Sequence, residues 1–183
     1  MTKDANTTLV GQIARAQLQA WVVNLITLVA NAYNGGLVLG AGAQLGTGKA
    51  ALAPDALLLV ANDSDNNNNN SNNNNNNIDA ATPALVVSIL ADDTSADARQ
   101  RLCTRYAAAG VHEYWQIGAD TGQSQLFQRT ADGQFERIPP DAQGLHFSSA
   151  LTELAFPVAW FADQPDMWEM MDWWGLIDAE SEN

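Results

Sequence analysis

Few side chains in this sequence have the spacing that a catalytic or phosphate-binding site requires. Glycines at positions 40, 42, 46 and 48 precede Lys49, which is the composition of a phosphate-binding loop. The phosphate-loop pattern, however, requires glycine where Ala43 stands and serine or threonine where Ala50 stands. The dinucleotide-binding pattern requires glycine where Leu45 stands. We therefore interpret residues 40–48 as a turn between strands.

The two histidines give little support to a metal site or a hydrolase site. His112 and His146 are far apart, and neither has cysteine or glutamate at the spacing of a zinc site. Ser148 or Ser149 could form a triad with a histidine and an aspartate, but no G-x-S-x-G elbow supports this alternative. We expect His112 to be a surface residue that follows a helix stop at Gly110.

Charged residues are distributed unevenly along the chain. The 183 residues include 8 Lys+Arg and 21 Asp+Glu, and the formal net charge of -13 weighs against a general nucleic-acid binder. Eight of the acids lie in the last 33 residues, where there is no base. The densest basic group is Arg99, Arg101 and Arg105, which is the best candidate for a phosphate contact. The alternative is that these arginines form a solvated helix face.

Composition also limits the compartment and the size of the core. With 46% hydrophobic residues, the chain can bury a core of its own, and we expect a single domain. The single cysteine, Cys103, cannot form an intramolecular disulfide, and the first residues lack a signal peptide, so we predict a cytoplasmic protein. The most apolar stretch, residues 18–33, is too short and too polar for a membrane span, and we predict none.

Apolar periodicity predicts the elements that must position these side chains. An amphipathic helix over residues 8–33 ends at Gly35 and Gly36, and a second helix runs from a cap at Thr94 or Ser95 to about position 109. Its apolar face is predicted to carry Leu102, Tyr106 and Ala109. Short apolar or alternating runs predict strands at 37–39, 57–60, 85–90, 113–117, 124–129 and 134–138. The first three are expected to be covered on both faces.

Two segments differ in composition from the rest. The asparagine-rich residues 62–79 have low propensity for helix or strand, so we predict a flexible loop, with self-association as the alternative. The acidic tail holds four of the six tryptophans. There, Pro165 is predicted in the first turn of a helix ending at Trp174, within residues 163–177. Its apolar stripe of Met167, Met170, Met171 and Trp174 is interpreted as core or, alternatively, as a dimer seam.

Three stretches of the sequence form a recognisable combination. They are Ala53-Pro54-Asp55 at the start of a strand, residues 83–90, and above all residues 105–115, which read RYAAAGVHEYW. Together they resemble the Uma-type restriction endonuclease family of the PD-(D/E)XK nuclease superfamily. The tail from 154 to 177, with FPVAWF and WGLI, is similar to the end of many members. The resemblance implies an α/β fold with a restriction-endonuclease-like core, in which helices flank a mixed central sheet.

The resemblance also implies metal-assisted phosphodiester hydrolysis, in which two carboxylates hold Mg²⁺ and a lysine orients the attacking water. The family's first carboxylate falls on Asp55, which would be the metal ligand. Its glutamate falls on Ser88 and its lysine on Leu102, so two of the three catalytic positions are substituted. Lys49 is a possible substitute for the lysine, and Asp92, Asp93 or Asp97 for the glutamate.

These substitutions favour a nuclease-like protein whose hydrolytic site is degenerate. One alternative is an active Mg²⁺-dependent DNA endonuclease with relocated catalytic groups, and another is a protein–protein module that assembles through the tail. We expect Mg²⁺ as a cofactor only if the site is active. As partners we expect DNA at most weakly, no membrane, and a homodimer as a possibility. Tyr114 and Trp115 are predicted to lie in the core rather than to stack on bases.

Overall fold

The computed structural model describes residues 2–34, 36–46, 51–60, 82–91, 93–119, 124–151 and 154–177. Gly35, Lys49, Asp92 and the asparagine-rich residues 62–79 lie outside these ranges. Within them the elements are, in chain order, α1 (Thr2–Val29) with a π-helical turn (Ala30–Asn34), β1 (Leu37–Leu39), β2 (Ala56–Leu59), β3 (Leu85–Leu90), α2 (Ala96–Ala108), β4 (Glu113–Gly118), β5 (Gln125–Arg129), β6 (Phe135–Arg137), β7 (Leu145–Phe147), β8 (Ala155–Pro157), α3 (Trp160–Asp163) and α4 (Met167–Trp173).

Strands β1 to β6 form one mixed sheet in chain order. All neighbouring strands are antiparallel except β3 and β4, which run parallel in a register that pairs Leu85 with Glu113 and Ser88 with Gln116. A parallel pair needs a long crossover connection, and α2 supplies it. The predicted α/β class with a mixed central sheet flanked by helices is confirmed.

The central strands are buried on both faces. Alternate residues of β3 point to opposite sides: Leu85, Val87 and Ile89 pack with α1 and the C-terminal segment, whereas Val86 packs with α2. Tyr114 and Trp115 are fully buried, which confirms the prediction that they are core residues. The prediction that β1 is covered on both faces is wrong. This strand lies at the edge of the sheet, and its residue Leu37 is exposed.

Several element boundaries differ from the predicted ones. Helix α1 begins six residues earlier, at Thr2. Ala109 is the exposed C-cap of α2 rather than part of its apolar face, which carries Cys103, Tyr106 and Ala107 at three- and four-residue spacing. Pro165 does not lie in the first turn of α4, because Asp166 is the N-cap and closes a capping box with Glu169. The small β7–β8 hairpin was not predicted.

The apolar segment of the N-terminal helix is longer than residues 18–33, for which no membrane span is predicted. Residues Gly11–Ala32 span 22 positions with a mean hydropathy of 1.3, which by length and composition would suffice to cross a membrane. A core helix of a globular protein passes the same test. Leu18, Val22 and Leu25 of this segment pack against the sheet.

A buried carboxylate joins the main sheet to the C-terminal segment. Glu113, the first residue of β4, is 1% exposed, and its two oxygens are surrounded by donors. Oε1 accepts from Trp115 Nε1 at 2.6 Å and from His146 Nε2 at 2.9 Å. Oε2 accepts from the hydroxyls of Ser148 and Ser149 and from the backbone N–H groups of Ser149 and Ala150. This carboxylate therefore orders the chain that leads from β7 towards β8.

Hydrogen bonding decides the charge state of Glu113. Burial alone raises the pKa of this carboxyl, but the hydrogen bond and charge of His146, together with donation from Trp115 and Ala150, outweigh burial and lower the pKa below its ordinary value of 4.5. The unfolded chain consequently binds the proton more readily. Stability from Glu113 is fully present above about pH 4.5 and is lost as the pH falls through the lower, folded-state pKa.

We expect Glu113→Gln to lower the free energy of unfolding at pH 7 by about 3 to 5 kcal/mol, because its amide nitrogen faces donors that require an acceptor. The difference from the native chain should shrink as the pH falls below 4.5, where the unfolded chain begins to bind the proton. It should be smallest below the folded-state pKa, where the carboxyl is protonated in both states. Urea unfolding between pH 7 and pH 3 measures both effects. The matched control Glu136→Gln, at an exposed position on β6, should change stability by less than about 0.5 kcal/mol. A Glu113→Gln difference that is constant with pH would contradict this account.

The turn from α2 to β4 depends on Gly110. Its φ of 84° lies in the left-handed region, and an added Cβ would stand 3.2 Å from Thr82 Cγ2. The next residue, Val111, is fully buried, so the turn cannot shift outward without uncovering the core. Gly110 thus sets the direction in which the chain enters β4.

Gly110→Ala should destabilise the fold by about 1 to 2 kcal/mol, the cost of holding an L-residue in the left-handed region. Thermal unfolding measures this. Gly11→Ala is the control, because an added Cβ at this position in α1 meets nothing within 4 Å. Since alanine favours a helix by about 1 kcal/mol over glycine, the control should be neutral or stabilising. Equal effects of the two substitutions would show that backbone conformation at Gly110 is unimportant.

Candidate functional site

Asp55 lies at the start of β2, beside the carboxyl end of β3. Its backbone N–H donates to Val87 O at 2.9 Å, and its Oδ2 accepts from the backbone N–H of Ile89 at 2.8 Å. These two contacts fall on either side of Ser88, so the residue at the family's glutamate position stands opposite Asp55. The structure therefore places together two of the three positions that the resemblance identified.

Helix α1 supplies partners for Asp55 that the sequence did not reveal. Arg15 Nη2 donates to Asp55 Oδ1 at 2.9 Å, and Gln19 Nε2 donates to the backbone oxygen of Asp55 at 2.8 Å. Arg15 and Gln19 are four residues apart and so lie on one face of the helix. In the sequence, the four-residue spacing of these two polar residues on a helix with an apolar face was the signal that could have indicated a polar contact there.

Each oxygen of the Asp55 carboxylate accepts one hydrogen bond, Oδ1 from Arg15 and Oδ2 from the Ile89 N–H. The Asp55 side chain is 14% exposed and that of Arg15 is 49% exposed, so the pair contributes only about 0 to 1 kcal/mol to stability. The pair matters more for the chemistry of Asp55 than for stability, because a guanidinium stays charged at all ordinary pH values. Asp55 is thereby neutralised by a cation from its own chain, and its second oxygen is held by Ile89 N–H.

Ser88 is buried between the sheet and α2. It is 5% exposed, and Tyr106 from α2 and Tyr114 from β4 lie beside it. Burial raises the pKa of both tyrosine hydroxyls, and the Ser88 hydroxyl offsets only part of this effect. The negative charge of Asp55 raises the pKa of Tyr106 further. Ser88 thus has neutral, protonated neighbours.

Leu102 lies on the same side of the sheet as Ser88. It precedes Tyr106 by one helical turn and packs, half-buried, against the cluster that contains Val86 and Tyr114. An amine at this position would point towards the same region, but a leucine contributes only packing. The position at which the resemblance predicts the family's lysine is therefore occupied by an apolar side chain that packs against the core.

The described residues around Asp55 do not fit a Mg²⁺ site. Magnesium requires hard oxygen donors, usually one or two carboxylates with free lone pairs. Asp55 offers a single carboxylate that is already paired with the guanidinium of Arg15, and Ser88 opposite it is neutral. No group of three or more His, Cys, Asp or Glu side chains occurs within the described ranges. Of the proposed substitutes, Lys49 and Asp92 lie outside those ranges, and Asp93 and Asp97 are exposed.

The buried polar residues next to Ser88 are not a nucleophilic centre. Gln116, the cross-strand partner of Ser88, donates through Nε2 to the backbone oxygen of Arg99 at 2.9 Å and to Cys103 Sγ at 3.2 Å. Burial raises the pKa of the Cys103 thiol to about 11. The thiolate is the reactive form of cysteine, so Cys103 is chemically inert near neutral pH.

The arginines of α2 are not equally available to a ligand. Arg99 Nε donates to Thr94 O at 3.3 Å, and Arg105 Nη2 donates to Ala51 O at 3.4 Å. Arg101 is exposed. Two of the three guanidinium groups therefore already bind backbone oxygens of their own chain, and a phosphate contact by this group stays a prediction.

The histidines do not form the triad that the sequence left open. The hydroxyls of Ser148 and Ser149 donate to Glu113 rather than to His146, and His146 is 2% exposed. A hydrolytic triad needs a hydrogen bond between nucleophile and base, which this geometry lacks. His112 is exposed, as predicted.

Comparisons with known proteins identify the family and the fold of the chain. The model of the Uma2 family, described as "Putative restriction endonuclease", matches residues 9–160. A crystal structure of a putative nuclease belonging to DUF820 from Anabaena variabilis ATCC 29413 aligns with a TM-score of 0.62 at 17% identity, covering 82% of this chain and 81% of that chain. At this identity, the likeness shows a shared fold. None of the curated proteins matches the chain.

The family match covers most of the chain and includes every element that surrounds Asp55, from α1 through β4. The shared fold and the family match agree with the motif at residues 105–115, which lies at the end of α2 and the start of β4. The chain belongs to the Uma2 family and has a restriction-endonuclease-like α/β fold.

Proposed function

We propose that this chain is a Uma2-family protein whose phosphodiesterase site is degenerate, and that it retains a binding or structural role rather than cleaving DNA. One observation carries the proposal. The Asp55 carboxylate pairs with Arg15 and accepts a hydrogen bond from the Ile89 N–H, and the residue opposite it is a serine. A second carboxylate at that position would be needed for the pair to hold a divalent ion.

The charges around Asp55 explain why hydrolysis is not expected. A metal-dependent nuclease uses the bound ion to polarise the phosphate and to lower the pKa of the attacking water. Here the positive charge beside Asp55 belongs to Arg15, a guanidinium that cannot take the place of a metal ion as a Lewis acid. Leu102 offers no amine to orient the water. Asp55 keeps its carboxylate, but the other two family positions lack the groups that the reaction demands.

A residual binding role is compatible with the charges of the chain. Arg15 is half-exposed beside Asp55, and Arg101 is exposed on α2. The net charge of -13 opposes a polyanion, so any DNA binding should be weak and should fall steeply with salt. We therefore expect DNA to be at most a weak partner that the chain does not cut.

Purified protein should leave supercoiled plasmid intact in the presence of Mg²⁺ or Mn²⁺, because the site lacks a second carboxylate and an amine. Gel analysis of the plasmid over several hours measures nicking and cutting. Asp55→Ala is the matched variant, and it should behave like the native chain. Cleavage by the native chain that Asp55→Ala abolishes would overturn the proposal and favour an active nuclease with relocated groups.

The assignment of position 88 can be tested by restoring a carboxylate. Ser88→Glu combined with Arg15→Gln should gain binding of Mn²⁺ or Mg²⁺, since Asp55 then has a free oxygen and an acidic neighbour. Isothermal titration calorimetry measures the gain, and circular dichroism checks the fold. Gln100→Glu adds the same charge on the exposed side of α2 and should gain nothing. A folded variant that binds no divalent ion would show that position 88 is not the family's glutamate position.

A further inference from the structure

Helix α4 exposes an unusual amount of apolar surface for its length. In a helix of seven residues, Met167 is 47% exposed, Trp168 68% and Trp173 45%, whereas Met170 on the opposite side is buried. Trp168 and Asp172 are four residues apart, as are Glu169 and Trp173, so these side chains are neighbours on the helix surface. We call Met167, Trp168, Glu169, Asp172 and Trp173 the α4 face.

The α4 face is held in place by contacts on its inner side. Trp21 Nε1 donates to Pro165 O at 2.8 Å just before the helix, and Trp174 Nε1 donates to Ala155 O at 2.8 Å just after it. The ring of Trp160 contacts the edges of both Trp173 and Trp174. The capping box fixes the first turn. The surface is therefore formed without a partner, and its exposure is not the result of a loose helix.

The charge of this surface has one sign. Residues 154–177 contain Asp163, Asp166, Glu169 and Asp172, all exposed, and no lysine, arginine or histidine. Neither of the ion pairs found within the described ranges, Arg15–Asp55 and Glu113–His146, involves these acids. Exposed indole rings thus lie among carboxylates whose charge is not balanced nearby.

We propose that the α4 face docks a basic segment of another protein, with arginine or lysine side chains over the rings of Trp168 and Trp173 and paired with Glu169 and Asp172. The face of an indole ring attracts cations, and arginine also stacks on it. Carboxylates beside the ring add charge complementarity, which the acidic character of the whole segment strengthens. The inference does not depend on the state of the site around Asp55.

The same charges disfavour other occupants. A second copy placed face to face would bring its own Glu169 and Asp172 against those of the first, and like charges at an interface are costly. DNA and anionic lipid headgroups carry the same sign as the surface and are repelled. A basic protein segment satisfies both the indole rings and the carboxylates, which is why it is favoured over a dimer.

The test uses the full chain and two synthetic peptides of equal length, one alternating arginine with leucine and the other alternating glutamate with leucine. Calorimetry measures binding, and ¹⁵N spectra follow the indole N–H signals. The basic peptide should bind and shift the signals of Trp168 and Trp173 but not that of the buried Trp115. The acidic peptide should not bind.

Variants separate the α4 face from general charge attraction. Trp168→Ala and Trp173→Ala should each weaken binding about two- to fivefold, the usual contribution of an exposed cation–π contact. Phe147→Ala removes a side chain that is 60% exposed on β7 and should have no effect. Asp172→Asn should weaken binding more than Glu136→Gln, which removes the same charge from β6.

Three results would overturn the proposal. Equal losses for Asp172→Asn and Glu136→Gln, with none for the tryptophan variants, would mean that only net charge attracts the peptide. A concentration-dependent dimer in sedimentation that Trp168→Ala disrupts would assign the face to a second copy. Binding to uncharged phosphatidylcholine vesicles, in place of the basic peptide, would assign it to a lipid surface.

Discussion

The parallel pairing of β3 with β4 is the constraint on which the rest of this structure depends. Both strands are buried along their whole length, so both faces must be covered by other elements. The chain cannot join two parallel strands by a tight turn, and α2 therefore crosses over one face. Helix α1 and the C-terminal segment cover the other face. The antiparallel strands on either side extend the sheet from this centre.

This constraint also decides which residues meet. In parallel strands, Ser88 comes level with Gln116, and the crossover places Tyr106 and Leu102 above them. The antiparallel neighbour β2 brings Asp55 to the carboxyl end of β3. The family resemblance predicts a metal ion at this meeting point. In the structure, a serine, a leucine and an internal ion pair occupy it.

Two partly or fully buried carboxylates show how the interior compensates negative charge. Glu113 is compensated by hydrogen bonds from side chains and backbone, and so becomes a structural centre that fixes residues 145–151. Asp55 is compensated by a guanidinium from α1, so its negative charge is already balanced by a cation of its own chain. The acids of α4 take part in neither of the ion pairs found among the described residues, although Glu169 accepts from the backbone N–H of Asp166, so their charges remain available to another protein.

The sequence by itself determined the main elements and the fold class. Apolar periodicity located the strands and helices, because burial on one or both faces leaves a pattern that neighbouring residues share. The motif at residues 105–115 identified the family, and alignment with it placed the substitutions at Ser88 and Leu102. The polar partners could not be found this way: Arg15 is 40 positions from Asp55, and His146 is 33 from Glu113.

Only the tertiary structure decided those pairings, since a hydrogen bond depends on distance in space and leaves no period along the chain. The same holds for α4, whose predicted apolar stripe is Met167, Met170, Met171 and Trp174. Packing buries Met170 and anchors Trp174, but it leaves Met167 exposed, together with Trp168 and Trp173, which lie outside the predicted stripe. Periodicity shows that a helix has an apolar side, whereas the surrounding elements determine how much of that side is covered.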